Sequence, residues 1–363
     1  MESPFSVKFG LMAQIQMPRP WDENTERQAF WNAIKQAAHA EDVGFDYYWL
    51  TEQHFYVEIG HSASPEMLLA ALSQRTHRIR LGFGVILLPL HHPFLVAERV
   101  ATLDVLSNGR ADFGCGRGTS PYITEAFGVD AVEGREMADE SLRAILSIFK
   151  HERFEGFEGK YWNLPPRQVV PQPIQRPHPP LWVAASNIDT FAHAAEKGFG
   201  VIGVTRVLPA DMKPAVDAYW QAVRDADPEA FYGEVANPHA GAFAIAACNE
   251  DDQQGRALAC AAARWYYGDN DAELNSLRFG SARGGRKSVS GIVADRSDDE
   301  LIADGIVIGG DPDSCSRGIE LWADIGLDLM LFQLQVGNAT HEQVMRSLDL
   351  LGEKVLPRFR DTD

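Results

Sequence analysis

Residues 78–118 read RIRLGFGVILLPLHHPFLVAERVATLDVLSNGRADFGCGRG, and the order of elements in this stretch decides the fold. Ile79 to Leu88 is apolar on both faces, as a parallel strand covered by helices must be, and Pro89 stops it. Leu95 to Ser107 repeats apolar residues at helical spacing, Asn108-Gly109 is a turn, and Ala111 to Cys115 is a second short apolar run. Two strands joined by a helix run parallel, so the unit is a β-α-β crossover.

The same grammar extends in both directions. Upstream lie an apolar run at 8–14, a helix after Thr25 with Phe30, Ala33, Ile34, Ala37 and Ala38 on one face, a strand at Tyr47–Leu50 and a helix from Pro65 to Ser73. Thr25 followed by Gln28 has the spacing of a capping box. Downstream come a helix from Arg135 to Phe149 and a proline-dense passage to Pro180, read as an excursion over one face. Strands follow at 181–185, 200–204, 242–248 and 328–334, with helices between them and a terminal helix that Thr340 can cap. Eight buried strand candidates alternating with helices close into a (β/α)8 TIM barrel, which satisfies every edge, whereas an open doubly wound sheet leaves two edges unpaired. The whole chain, 1–363, is read as one barrel domain with a long insertion before the last strand; the glycine-rich part of it, 266–300, is the candidate mobile lid.

Composition narrows the chemistry. The 363 residues are 45% hydrophobic, which is ample for a buried core, and 51 acidic against 33 basic residues give a net charge of -18. Such a chain repels a nucleic-acid backbone or an anionic membrane unless one basic face is set apart, and no basic cluster is evident. Cys115, Cys248, Cys260 and Cys315 are too few and too scattered for a disulfide scaffold or a Cys-based metal site. Reduced thiols, no leader-like N-terminus and no long apolar run lead to the expectation of a soluble cytoplasmic protein.

No G-x-G-x-x-G opens a helix after a strand and no P-loop occurs, which argues against a Rossmann crevice or nucleotide triphosphate hydrolysis. His91 and His92 are adjacent and lack the spacing of metal ligands, so no metal site is assigned. Glu52 and His54 stand on alternate steps after the second strand, where they face the same barrel mouth either as catalytic groups or as a satisfied structural pair. Gly114-Cys115-Gly116-Arg117-Gly118 is either a tight turn or a place where backbone and guanidinium approach an anion together. Cys115 has no local base to make it a nucleophile.

An ordered set of segments resembles the bacterial luciferase-like flavin monooxygenase family, which includes the alkanal monooxygenase subunits. The set is GFDYYWLTEQHF at 44–55, the 78–118 stretch, WVAASNIDTFAHAAEKG at 182–198 and IGGDPDSCSRGIELWADIGLDLMLFQLQ at 308–335. The resemblance implies a luciferase-like barrel holding reduced flavin at its mouth, where oxygen forms a C4a-hydroperoxide that oxidises a small organic substrate. It implies a ring over Gly84 and Val85, with their peptide strained or cis, and a phosphate near Arg117, Ser186, Asn187 and Thr190. The first turn of the helix there offers unpaired N–H groups, although Ser186 or Asp189 is equally a simple cap. His54 is expected to stabilise or protonate the oxygen adduct, Glu52 to orient His54, and Gln53, where the family has a histidine, to hold polar contacts only. The luciferase cysteine is replaced by Gly116, and both departures argue against light emission.

The resulting expectation is an FMN-dependent monooxygenase using O2 and reduced FMN from a separate NAD(P)H-flavin reductase, in a homodimer. Phe55, Tyr56 and Trp182 are candidate walls for an aldehyde, terpene or aromatic substrate. The alternatives are a deazaflavin-dependent dehydrogenase on the same barrel and a non-catalytic flavin-binding partner subunit.

Overall fold

The computed structural model describes residues 6–118, 120–185, 188–204, 207–269 and 293–360. In chain order its strands are β1 (Lys8–Ala13), β2 (Tyr47–Leu50), β3 (Arg80–Phe83), β4 (Ile86–Leu87), β5 (Ala111–Gly116), β6 (Phe157–Glu158), β7 (Asn163–Leu164), β8 (Leu181–Ala184), β9 (Gly200–Val204), β10 (Ala240–Cys248), β11 (Val307–Gly310) and β12 (Leu329–Gln333). β1, β2, β3, β5, β8, β9, β10 and β12 pair in that order, all in parallel, and β12 returns to β1 with Lys8 beside Leu329. The ring is the closed eight-stranded α/β barrel expected from the alternation, and closure leaves neither a first nor a last edge.

Two expectations about the strands change in detail. The run 79–88 is not one strand: β3 ends at Phe83, β4 begins at Ile86, and the Gly84–Val85 peptide between them is cis. Within the insertion before β12, β11 forms an additional strand. It pairs with Ile245–Cys248 of β10, beyond Ala240–Phe243, where β9 pairs. Its four residues end in two glycines and carry no periodicity by which sequence would reveal them. Residues 270–292, most of the expected lid, lie outside the described residues.

The lumen is filled by Met12, Tyr47, Trp49, Trp182, Ile202, Leu329 and Leu331. Trp49 and Trp182 meet edge to face at 5.2 Å, and glycines on adjacent strands make room for them: a Cβ at Gly82 would come within 2.4 Å of the Trp49 ring. Trp182 is therefore core and not a substrate wall; its indole N–H donates to the buried Asp112 at 2.8 Å, while Arg80 donates to the other oxygen at 2.6 Å.

Helix Pro93–Leu106 starts before Leu95 because Pro93 takes its first position and the His92 ring accepts the Phe94 N–H. Thr340 and Gln343 form the reciprocal cap expected of the last helix, His341–Leu350. Thr25 is not a cap: helix Thr25–Asp42 has Asn24 at that position, and the Thr25 hydroxyl instead accepts from Asp22 N–H and donates to the Asp22 carboxylate. The proline-dense passage stays on the barrel, where Gln175 bonds the buried Asp104 twice, at 2.9 and 2.7 Å. Among the described residues no helix is long and apolar enough to cross a membrane.

Candidate active site

β2 runs on past Leu50, with Thr51 N–H still bonded to Ala13 of β1, and delivers Glu52 buried at the C-terminal end of the barrel. One oxygen of Glu52 lies 2.8 Å from His54 Nε2 and 2.7 Å from His91 Nε2, and the other accepts the Leu87 N–H at 2.8 Å. Burial pushes this carboxyl up, but the hydrogen bonds from both imidazoles, the charge of His91 and the Leu87 N–H outweigh burial and hold it at about 2. An ionised carboxylate only accepts, so both histidines present a proton on Nε2, and each keeps Nδ1 to take up or release another. The chemistry available is a proton held or moved at two Nδ1 atoms fixed by one anion.

His91 is the member that sequence reading missed. The signal for this role, a histidine just after a barrel strand, is too common to stand alone. Among the described residues no group of three or more His, Cys, Asp or Glu side chains is placed to hold a metal ion. Gln53 lies apart from the pair. Its N–H bonds Ser62, and its side chain packs on Gly60, where an added Cβ would come within 2.6 Å of Gln53 Cβ. Around His54 stand Phe127, edge-on at 5.0 Å, and Phe55, which also meets Phe127 and Tyr122. Phe55, Tyr122 and Phe127 are exposed, whereas Tyr56 is buried with its hydroxyl on Ser120 Oγ at 2.6 Å.

The lumen below is polar where it should be oily. Gln333 continues the inward series Leu329, Leu331 at the end of β12, beside Met12 by the register of β1 and β12. It is 2% exposed, yet among the described residues neither its Nε2 nor its Oε1 has a hydrogen-bond partner, and the buried Trp49 Nε1 has none either. Leaving such groups unpaired costs roughly 1–3 kcal/mol each, which a ligand edge carrying donors and acceptors would recover. Gly84 spares a tight contact with Met12 and Trp49: a Cβ there would stand 3.2 Å from the Met12 sulfur and 3.3 Å from the Trp49 ring. A flat heteroaromatic ring with a polar edge, as in a flavin, fits that donor set.

A second group of charged residues lies to one side. β5 and β8 are neighbours, with Cys115 beside Val183, so the chain leaves the barrel at Arg117 and at Ala185 side by side. Arg117 is exposed, and its carbonyl lies 3.8 Å from where a Cβ on Gly134 would stand, at the start of helix Gly134–Lys150. Arg135, Arg143, Lys160 and Thr190 line one open cleft of about 1000 Å³ together with five carboxylates, Glu136, Asp139, Glu140, Asp189 and Glu196; Asp139 pairs with Arg143 and Glu136 with Lys160, and Thr190 stands in the first turn of helix Ile188–Glu196. Ser186 and Asn187 lie outside the described residues. Arg135, in the first turn of helix Gly134–Lys150, is a cleft residue that sequence reading does not single out. Cys115 is buried among apolar side chains and its thiol is pushed up to about 12 by burial, so it is inert.

The family model for luciferase-like monooxygenases matches residues 7–329, and the chain belongs to that family. The oxygenase component of a flavin-dependent trigonelline monooxygenase from Acinetobacter baylyi is 31% identical over 197 residues; the match covers 54% of this chain and 53% of that protein. The chain thus spans about half the length of that curated relative. Monooxygenase RslO1 from Streptomyces bottropensis superimposes with a TM-score of 0.79 at 26% identity, over 97% of this chain and 100% of that one. The oxygenating constituent of 3,6-diketocamphane monooxygenase from Pseudomonas putida, solved in complex with FMN, shares the fold with a TM-score of 0.78 at 23% identity, over 97% of this chain and 99% of that one.

Proposed function

We propose that this chain is the oxygenase component of a two-component, FMN-dependent monooxygenase that inserts an oxygen atom from O2 into a small apolar or aromatic molecule, with reduced FMN supplied by a separate NAD(P)H-flavin reductase. The observation that carries this reading is Glu52 holding two imidazoles beside an open cluster of Phe55, Tyr122 and Phe127, at the mouth of a barrel whose lumen ends in an unpaired Gln333 amide. Reduced FMN, when bound, supplies the two electrons and the carbon centre at which dioxygen is activated. The chain's own residues do the rest. Arg117, Arg135 and Thr190, with Ser186 and Asn187, hold the phosphate; Gly84 and Val85 face the ring; Gln333 meets its polar edge. His54 and His91 manage the proton at Nδ1, and the aromatic rings keep water from the reacting oxygen. Met67, Leu95 and Leu106, exposed on the adjacent helices Pro65–Ser73 and Pro93–Leu106, support the homodimer.

The test mixes the chain, loaded anaerobically with reduced FMN, with isotopically labelled dioxygen and an aromatic or terpene substrate panel. Label in one product with the reductase supplied in trans supports the reading. Turnover that proceeds without oxygen on a deazaflavin would replace it with the dehydrogenase, and flavin that decays in air as it does free in solution would replace it with the partner subunit.

A further inference from the structure

Between the first helix and the last lies a second cavity, of about 460 Å³, which shares no lining residue with the Glu52 cluster or the arginine cleft. Its walls are the chain just after β1, one face of helix Thr25–Asp42 and the turn that follows β12. In a protein of net charge -18 its lining among the described residues holds no lysine or arginine, and the one carboxylate there, Asp22, is already engaged by Asn24 N–H at 2.9 Å and the Thr25 hydroxyl at 2.8 Å. What it presents instead is side-chain amides.

Two chains of amides cross this cavity, and the backbone sets the direction of each. The Gly337 N–H can only donate, so Gln16 turns Oε1 to it, at 3.3 Å. Gln16 Nε2 then donates to Gln14 Oε1 at 3.1 Å, which leaves Gln14 Nε2 with no acceptor among the described residues. The Ala339 carbonyl can only accept, so Gln335 turns Nε2 to it, at 2.7 Å, and its Oε1 receives Gln36 Nε2 at 2.8 Å. Gln36 Nε2 also meets His341 Nδ1 at 3.2 Å; burial lowers this imidazole against the upward pull of Glu342, favouring the neutral ring that accepts there. Gln36 Oε1 is left with no donor among the described residues. Both terminal residues are deeply buried, Gln14 at 6% and Gln36 at 5% exposure, and both line the cavity. One unspent donor and one unspent acceptor in a neutral pocket match a molecule carrying an acceptor and a donor of its own without charge.

We propose that this cavity is a binding site for a small uncharged molecule bearing a primary carboxamide or a lactam, whose carbonyl accepts from Gln14 Nε2 and whose N–H donates to Gln36 Oε1. A carboxylate of the same shape cannot donate to Gln36 and finds no lysine or arginine among the described lining residues, so the site discriminates by charge and by proton inventory. Nothing in this assignment depends on the flavin chemistry, since its readout is binding.

Benzamide and benzoate are the probe pair, titrated calorimetrically into the full chain in the presence of FMN. Saturable benzamide binding is expected, with benzoate weaker by about tenfold or more, and with Gln14→Leu and Gln36→Leu each weakening benzamide by about tenfold while FMN affinity is unchanged. Absent benzamide binding, equal affinity for benzoate, or unaltered benzamide affinity in both variants overturns the assignment. Should either glutamine variant fail to fold, Asn32→Trp decides: it fills the cavity from the helix face and lies outside both amide chains. It must abolish benzamide binding, and retained binding overturns the site.

Discussion

At the scale of single residues, Glu52 governs the site, because one buried carboxylate oxygen sets the proton positions of two histidines. His91→Ala should therefore be as harmful as His54→Ala, each lowering product formed per oxygen consumed by on the order of a hundredfold; an oxygen electrode with product quantification measures both. Glu52→Gln replaces a carboxylate that accepts three N–H donors with an amide whose NH2 opposes either the Leu87 N–H or both imidazoles, and the same loss of coupling is expected. The carboxyl also carries a pH signature. Its folded value of about 2 lies below the ordinary 4.5, so its stabilisation is complete above about pH 4.5 and is lost as pH falls through about 2. Urea unfolding across that window should show wild type about 3 kcal/mol more stable than Glu52→Gln at neutral pH, with the gap closing toward pH 2.

At the scale of elements, strand adjacency depends on positions that tolerate no side chain. A Cβ on Gly114 would sit 1.9 Å from the Phe83 carbonyl oxygen, so Gly114→Ala must force β3 and β5 apart, at a cost of about 3 kcal/mol or more in urea denaturation. Helix starts matter as much as strands. Arg135 and Thr190 bring the first turns of two helices, Gly134–Lys150 and Ile188–Glu196, to one cleft. Arg135→Ala should weaken FMN binding by about tenfold to a hundredfold and leave riboflavin, which has no phosphate, unaffected; fluorescence titration of the two flavins distinguishes these outcomes. The elements also mark what local reasoning reads well. The helix starts at Pro65 and after Thr340 are legible because Pro at the first turn and a Thr-x-x-Gln cap act within a few residues. Thr25 has the same spacing, but Asp22 competes for its hydroxyl, and β11 has no pattern at all.

At the scale of the molecule, closure of the ring is what lets a chain with 31 glycines and short strands hold a rigid mouth. A chain ended after Ala323 loses β12, exposes the edges of β1 and β10 and opens the lumen beside Met12; it should elute from size-exclusion chromatography as aggregate, not monomer or dimer. The sequence by itself determined the alternation, the eight ring strands, the resemblance to a flavin family and the Glu52–His54 pair. Each of these rests on apolar periodicity, turn residues or a two-residue step along an extended chain, which are local. Only the tertiary structure decided that His91, 39 residues beyond Glu52, completes that pair, that Trp182 fills the lumen instead of walling a substrate, that Gln333 ends the lumen with no partner among the described residues, and that Arg135 and Thr190 line one cleft. These are meetings of residues far apart in sequence, and no local preference encodes them: they exist because hydrogen bonding closes the sheet on itself and sets the register in which distant strands arrive at the same end.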